Sequence, residues 1–377
     1  MSIYARRQQR RTLETNTTPP LPALARYGHW VCNSGMPSQA TLEAAAGHKL
    51  SYTTFNYDRR EYAEQLKELD PDVSIMIYIC LSSARDYEPT EAIAGAVSWN
   101  DAVANDWLAL DVNGDRMPWG GYGGHYQAKV WDSAYQDAYI AHIDAVLQDP
   151  LVDGIWADND MWTLQWYNEN FFAGTSSREE TDQKLRDGLD VLVARAGAHA
   201  RSLGKFLMPN YSEGRNSLPR HAVHAEAGGG ICEEQFANWG ESGEPQLYDW
   251  GDGGWVDQQK ELRSGEHNTA ITYHREGDTR TALYGYTSFL LRAEPGEDGW
   301  TAMSSTFPIG EHVWLPFQDT PLGQPTGQAT QADQVWTRSF EKAFVAVNPH
   351  QSAANVTDPL GQTHEMGALT GLIVPVQ

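Results

Sequence analysis

Residues 59–80 read RREYAEQLKELDPDVSIMIYIC. The stretch 59–69 carries a helical pattern. Asp70-Pro71 ends it, because a proline pushes the residue before it out of helical backbone. VSIMIYIC (73–80) then follows as an apolar run with almost no polar interruption. A strand of that kind has no solvated face. It belongs in a parallel sheet covered on both sides, where helices alternate with strands.

Seven more apolar runs keep the same rhythm: YGHWVCN (27–33), LSYTTFNY (50–57), VDGIWAD (152–158), KFLMPN (205–210), GGICEE (229–234), TAITYH (269–274) and TAMSSTF (301–307). Several are rich in β-branched and aromatic residues and are bounded by Gly, Pro or Asn. Helical patterns lie between them. In 133–148 one face gathers Tyr135, Tyr139, Ile140, Ile143, Val146 and Leu147. In 179–203 it gathers Leu185, Leu189, Leu192, Val193, Ala196 and Ala200, with Gly204 placed to stop the helix. Eight strand–helix units predict an α/β chain built as a (β/α)8 TIM barrel. An open doubly wound sheet is the alternative, but the turn after the first run, Asn33-Ser34-Gly35-Met36-Pro37, is no dinucleotide fingerprint.

Both ends of the chain have a different texture. Residues 1–25 hold a four-arginine cluster and a Thr/Asn/Pro stretch, and are expected to form a flexible basic arm that could dock on a larger assembly. No apolar segment follows those arginines, so no secretory signal is read there, and the expected location is cytoplasmic or on a virion. The barrel is expected over 26–317. Residues 318–377 begin with a polar Pro/Gly/Thr linker and continue as short alternating runs, VWTRSF, AFVAVN, AANVTD and GLIVPV, which predict a small C-terminal antiparallel β domain of sandwich type. One connection is unusually long. Residues 81–131 contain Trp99, Trp107, Trp119 and Trp131, a hairpin signal at Asn113-Gly114, and the string GGYGGH (120–125), read as a lid or substrate-contacting loop. Asp111-Val112-Asn113-Gly114-Asp115 fails the spacing of a calcium loop and is read as a turn.

Composition narrows the function. The chain has 377 residues and a formal net charge of −23, a field that repels polyphosphates, so nucleic acid is a poor partner. Aromatic residues make up 11%, which argues against disorder, and no apolar run is long enough for membrane insertion. Fourteen tryptophans in an acidic chain suit a protein that handles carbohydrate. Cys32, Cys80 and Cys232 are widely spaced without a CxxC pair and are read as core residues. No GxSxG elbow, HExxH or P-loop is present. His221 and His224 alone make a weak metal pair, so no metal or cofactor is expected.

Barrel enzymes work at the C-terminal ends of their strands. VDGIWADND and GGGICEEQF align without a gap, Gly154-Ile155 over Gly230-Ile231 and Asp158 over Glu234. Equal offsets give equal strand parity, so the two carboxylates should face each other across the mouth. Glycoside hydrolysis needs that pair: one acid for the leaving oxygen, and one base or nucleophile across the anomeric carbon. Asp158 and Glu234 are therefore the candidate catalytic residues. The candidate substrate contacts are Asn33, Asn159, Asp160, Trp156, Trp162, Asn210, Tyr211, Glu233, His274 and Trp99. Trp166 and Trp239 are further rim aromatics. Glu233, of opposite parity, is expected to support or to pack outward, and Asp160 to cap a turn or bind a sugar hydroxyl.

The order WVCNSG, DPDVSIMIYI, DGIWADND, FLMPN, GGICEEQF and WTRSFEKAFVAVNP is similar to hypothetical glycosyl hydrolase family 15 over roughly residues 27–350. That resemblance implies a (β/α)8 domain with a small C-terminal β domain. It also implies that the Asp of the fourth strand serves as nucleophile or base and the acid of the sixth as proton donor, which here are Asp158 and Glu234. A glycosidase acting on a poly- or oligosaccharide is the expectation, and carriage on a phage tail would fit the basic arm. The alternatives are a non-catalytic carbohydrate-binding or assembly protein on a degenerate barrel, and a metal-dependent hydrolase of another bond.

Overall fold

A computed structural model of the chain describes residues 25–29, 37–47, 50–211, 214–238, 246–262, 267–294, 300–306 and 314–376. Residues 1–24 of the expected basic arm, and with them Asn33, Cys32 and Trp239, lie outside the described residues.

The fold is α/β with one large parallel sheet. Its strands are β1 (Ala25–His29), β2 (Leu50–Phe55), β3 (Ser74–Cys80), β6 (Gly154–Asp158), β7 (Phe206–Pro209), β8 (Gly230–Glu233), β9 (His267–His274) and β10 (Trp300–Thr306). Every one of the eight apolar runs became a strand of this sheet. The order is β7-β6-β3-β2-β1-β10-β9-β8, with every pairing parallel. At the two ends of that order, an Asn210–Cys232 parallel bridge joins the residue after β7 to β8, and the Tyr211 N–H donates to the Cys232 carbonyl at 3.0 Å. The β3 side chains are buried throughout, as an uninterrupted apolar strand requires.

Helices fill the connections: α1 (Gln39–Gly47), α2 (Arg60–Leu69), α3 (Trp99–Ala104), α4 (Ser133–Leu147), α5 (Arg178–Ser202), α6 (Leu218–Gly228), α7 (Trp255–Glu261) and α8 (Thr279–Leu290). Their ends obey local chemistry. The Asp132 carboxylate accepts from the first-turn N–H groups of Ala134 and Tyr135, and the hydroxyls of Ser177 and Ser217 cap α5 and α6. The apolar stripe of α5, from Leu185 to Ala200, is buried against the sheet and its neighbouring helices.

The long connection after β3 folds as an ordered insertion. Its short strands β4 (Ser83–Arg85) and β5 (His125–Gln127) pair antiparallel. The buried Glu88 carboxylate accepts from the N–H groups of Ile93, Ala94 and Gly95 and pairs with buried Arg85. The Asp111 carboxylate accepts from the backbone N–H groups of Asn113 and Asp115, closing a turn with Gly114 at φ 87°.

The C-terminal strands are antiparallel. β11 (Thr330–Ala332), β12 (Val335–Ser339), β13 (Ala343–Asn348) and β16 (Thr370–Pro375) form one sheet, and β14 (Ala354–Thr357) pairs with β15 (Thr363–Met366). They share a core with α8, in which Tyr284, Phe289 and Leu290 pack with Phe340, Val345 and Val347. Buried Arg338 donates to the carbonyls of Leu290 and Ala293 at the end of α8.

Candidate active site

The site is built where β6, β7, β8 and β9 end. Alternation along β6 puts Trp156 and Asp158 on one face of the sheet. Trp156 is buried there with its ring edge-on to Tyr78 of β3 at 5.6 Å, so it forms the floor under Asp158 and is not a rim platform. Three donors converge on Asp158. The Tyr78 hydroxyl reaches Oδ2 at 2.5 Å, Asn159 Nδ2 reaches Oδ2 at 2.7 Å, and Asn210 Nδ2 reaches Oδ1 at 2.8 Å. Asn210 Nδ2 also donates to Glu234 Oε2. The Tyr273 hydroxyl holds the other oxygen of Glu234 at 2.7 Å. One side-chain amide thus spans both carboxylates, and both are half-buried, within reach of solvent.

The surroundings keep the Tyr78 donor protonated. Burial and the nearby Asp158 charge push the Tyr78 hydroxyl well above its ordinary range, and Tyr167 shifts the same way for the same causes. Burial and Asp158 raise the Cys80 thiol; burial and the Glu234 and Glu233 charges raise that of Cys232. Buried Arg85 donates to the Tyr78 oxygen at 3.2 Å, so a cation stands one hydroxyl behind Asp158. Asn159 adopts φ 63°, an uncommon left-handed backbone. Its amide bonds to Asp158, and its carbonyl oxygen Oδ1 accepts from Tyr167 at 3.0 Å.

Of the expected contacts, Asn159 and Asn210 belong to this cluster, and others face elsewhere. Asp160 is 0% exposed, with Oδ2 on His224 Nδ1 at 2.5 Å and Oδ1 on Arg220 at 3.1 Å. It has no route to a sugar hydroxyl: the left-handed Asn159 breaks strand alternation, so Asp160 leaves the face that Asp158 occupies. Asp190 faces the same Arg220 and His224 side chains from α5. Burial alone would lower the His224 pKa; Asp160 and Asp190 override it and hold it above its ordinary value. Tyr211 is buried against His221 and His224, under the Arg220 guanidinium. Glu233 points to the opposite side of β8, buried beside Glu261 of α7, with the Gly214 N–H at 3.4 Å. His274 is buried and its Nδ1 bonds the Arg275 carbonyl. Trp99 packs on Tyr126 within the insertion, and Trp162 lies under Arg186. So Trp156, Asp160, Tyr211 and Glu233 build the walls and not the contact surface. Tyr78, Tyr167 and Tyr273 took the places next to the carboxylates. Two of them sit in the quoted runs, one or two residues before the strand ends where polar groups were sought.

Among the described residues no cluster of three or more His, Cys, Asp or Glu is arranged for a metal ion, and no helix is long and apolar enough to cross a membrane.

The model of one protein family, hypothetical glycosyl hydrolase family 15, matches residues 67–344. No curated protein matches the chain. Among solved structures, the glycoside hydrolase domain of PelA from Pseudomonas aeruginosa is 14% identical over 76% of this chain and 96% of that one, with a TM-score of 0.48. Ega3 of Aspergillus fumigatus, solved with galactosamine, is 9% identical over 80% and 99%, also at 0.48. The maltogenic alpha-amylase AmyB of Thermotoga neapolitana is 9% identical over 94% and 96%, at 0.44.

Proposed function

We propose that this chain, which belongs to hypothetical glycosyl hydrolase family 15, is a retaining glycosidase with Asp158 as nucleophile and Glu234 as general acid and base. The observation that carries the reading is the Asn210 amide nitrogen within hydrogen-bond reach of both carboxylates. Two hydrogen bonds of ordinary length meeting at one nitrogen put their acceptor oxygens about 5 Å apart. Retaining enzymes hold their carboxyl groups about 5–5.5 Å apart, whereas inverting ones leave about 6.5–9.5 Å for a water molecule. A closed (β/α)8 barrel is the architecture that would bring the fourth and sixth strands together in this way, and the Asn210–Cys232 bridge between the two ends of the sheet supports it.

In the first step an Asp158 oxygen bonds to the anomeric carbon as the glycosidic bond breaks, and protonated Glu234 gives its proton to the departing oxygen. In the second step the Glu234 carboxylate takes a proton from water. The water oxygen displaces Asp158 from the sugar, and both residues return to their starting state. Tyr78, Asn159 and Asn210 fix the nucleophile in one orientation. Tyr273 and Asn210 do the same for the acid.

The assignment of roles is tested with Glu234→Ala and Asp158→Ala, assayed on 4-nitrophenyl glycosides with and without azide. Azide should restore turnover to Glu234→Ala as a glycosyl azide of retained configuration, because that anion needs no base. Rescue of Asp158→Ala with retention, and none of Glu234→Ala, would reverse the roles.

A further inference from the structure

The insertion between β4 and β5 carries a feature that the cleavage chemistry does not use. Tyr87 and Tyr122 expose 53% and 48% of their surface, large values for aromatic rings. They are fixed on an aromatic stack. Trp119 lies parallel to His125 at 5.9 Å and to Tyr167 at 4.4 Å. Tyr122 stands edge-on to His125 and Tyr167 at 5.8 and 5.5 Å, and Tyr87 stands edge-on to His125 at 5.6 Å, with its hydroxyl 3.2 Å from Nε2.

The backbone holds this arrangement before any ligand arrives. The Asp86 N–H donates to the Gly124 carbonyl at 2.9 Å, and the Gly120 N–H to the Tyr167 carbonyl at 2.6 Å. Gly124 sits at φ +82°, where a Cβ would meet Asp86 Oδ1 at 2.5 Å and the Tyr87 ring at 2.8 Å, so only glycine lets Tyr87 lie this close. The stack is continuous with the reacting groups, because the Tyr167 hydroxyl donates to Asn159, which donates to Asp158.

We propose that Tyr87 and Tyr122 form a glycan subsite beyond the cleavage point, taking later sugar units of the same chain whose glycosidic bond lies between Asp158 and Glu234. The inference rests on the glycosidase reading for its direction along the chain. Rings present flat apolar faces that match the C–H faces of a sugar, and the exposed Asp86 carboxylate supplies acceptors for hydroxyls beside them. The net charge of −23 disfavours a polyanion in the same place. A protein so equipped works on a polymer and gains little from a short substrate.

The test compares wild type with Tyr87→Ala, Tyr122→Ala and Tyr122→Phe, each checked by thermal melting. Soluble starch, galactomannan, arabinogalactan and chitosan serve as polymers and 4-nitrophenyl glycosides as short substrates. The ratio of kcat/KM on the cleaved polymer to that on the aryl glycoside should fall roughly three- to tenfold for each alanine variant, and Tyr122→Phe should recover most of it. Electrophoresis through gels containing the polymer should retard wild type more than either alanine variant. If ratio and retardation are the same in all four proteins, or if wild type is not retarded by any polymer, the subsite does not exist. If wild type is retarded through these tyrosines but frees no reducing ends, the subsite stands and the glycosidase reading falls.

Discussion

Asp158 and Asp160 are separated by one residue, and Glu233 and Glu234 by none, yet the members of each pair have opposite surroundings. Asp158 and Glu234 are half-buried, share the Asn210 amide and take hydroxyl donors from Tyr78 and Tyr273. Asp160 is sealed between Arg220 and His224, and Glu233 is sealed against Glu261 behind the sheet. On the proposed reading the first two acids do the chemistry and the other two hold the scaffold that aims them. The Asp160 N–H bonds the Asn210 carbonyl at 3.1 Å, so the buried network ends one residue's width from the bridging amide.

Substitutions separate the two classes. Asp158→Asn should cost about 10²- to 10⁴-fold in kcat on any cleaved glycan while leaving the melting temperature close to wild type. Asp160→Asn should do the reverse. Removing one partner of a buried charge pair costs about 3–5 kcal/mol, read as a lower urea midpoint, with residual activity in proportion to the folded fraction. A stable, inactive Asp160→Asn would erase the distinction. Asn210→Ala removes the link between the carboxylates. Hydrogen bonds to charged groups are worth about 1.5–3 kcal/mol, so kcat should drop roughly 10- to 100-fold, less than for either carboxylate.

The smallest effect concerns pH. Burial, and then the charge of Glu233, holds the Glu261 carboxyl well above its ordinary range. The folded state therefore keeps a proton that the unfolded chain loses above about pH 4.3. A raised folded pKa gives stability that is complete below the unfolded value and declines as pH rises toward the folded one. Glu261→Gln cannot titrate, so its urea midpoint should fall less than that of wild type between pH 5 and pH 8. Parallel curves would mean that the Glu261 carboxyl is not held above its ordinary range in the folded protein. His224, also raised, titrates in both proteins and cancels in the difference.

Strand parity explains which parts of this were legible in the sequence. The eight apolar runs became the eight strands of the parallel sheet because an uninterrupted run such as Ser74–Cys80 fits only a sheet covered on both faces. Asp158 and Glu234 came together because they hold the same offset on their strands. Past the end of β6 alternation fails, and there the expectation for Asp160 failed too. Asp160 has the parity of Asp158 on paper, but the left-handed Asn159 turns the chain; asparagine is among the residues that accept that backbone, a signal that alternation alone does not read. Glu233 has the opposite parity, and its burial beside Glu261 follows from that. Trp156 has the right parity but sits one pleat too deep, beneath the carboxylate and not beside it. The tyrosines that hold the acids come from β3 and β9, far away in sequence, and only the packing of those strands shows that they reach.

On the proposed reading, the spacing of the two carboxylates sets the stereochemical course of the reaction. Proton NMR of the first sugar released by wild type, recorded before mutarotation, should show an anomer of the same configuration as the bond cleaved. Release of the opposite anomer would require a wider carboxylate separation with a water between Asp158 and Glu234, and would contradict the account.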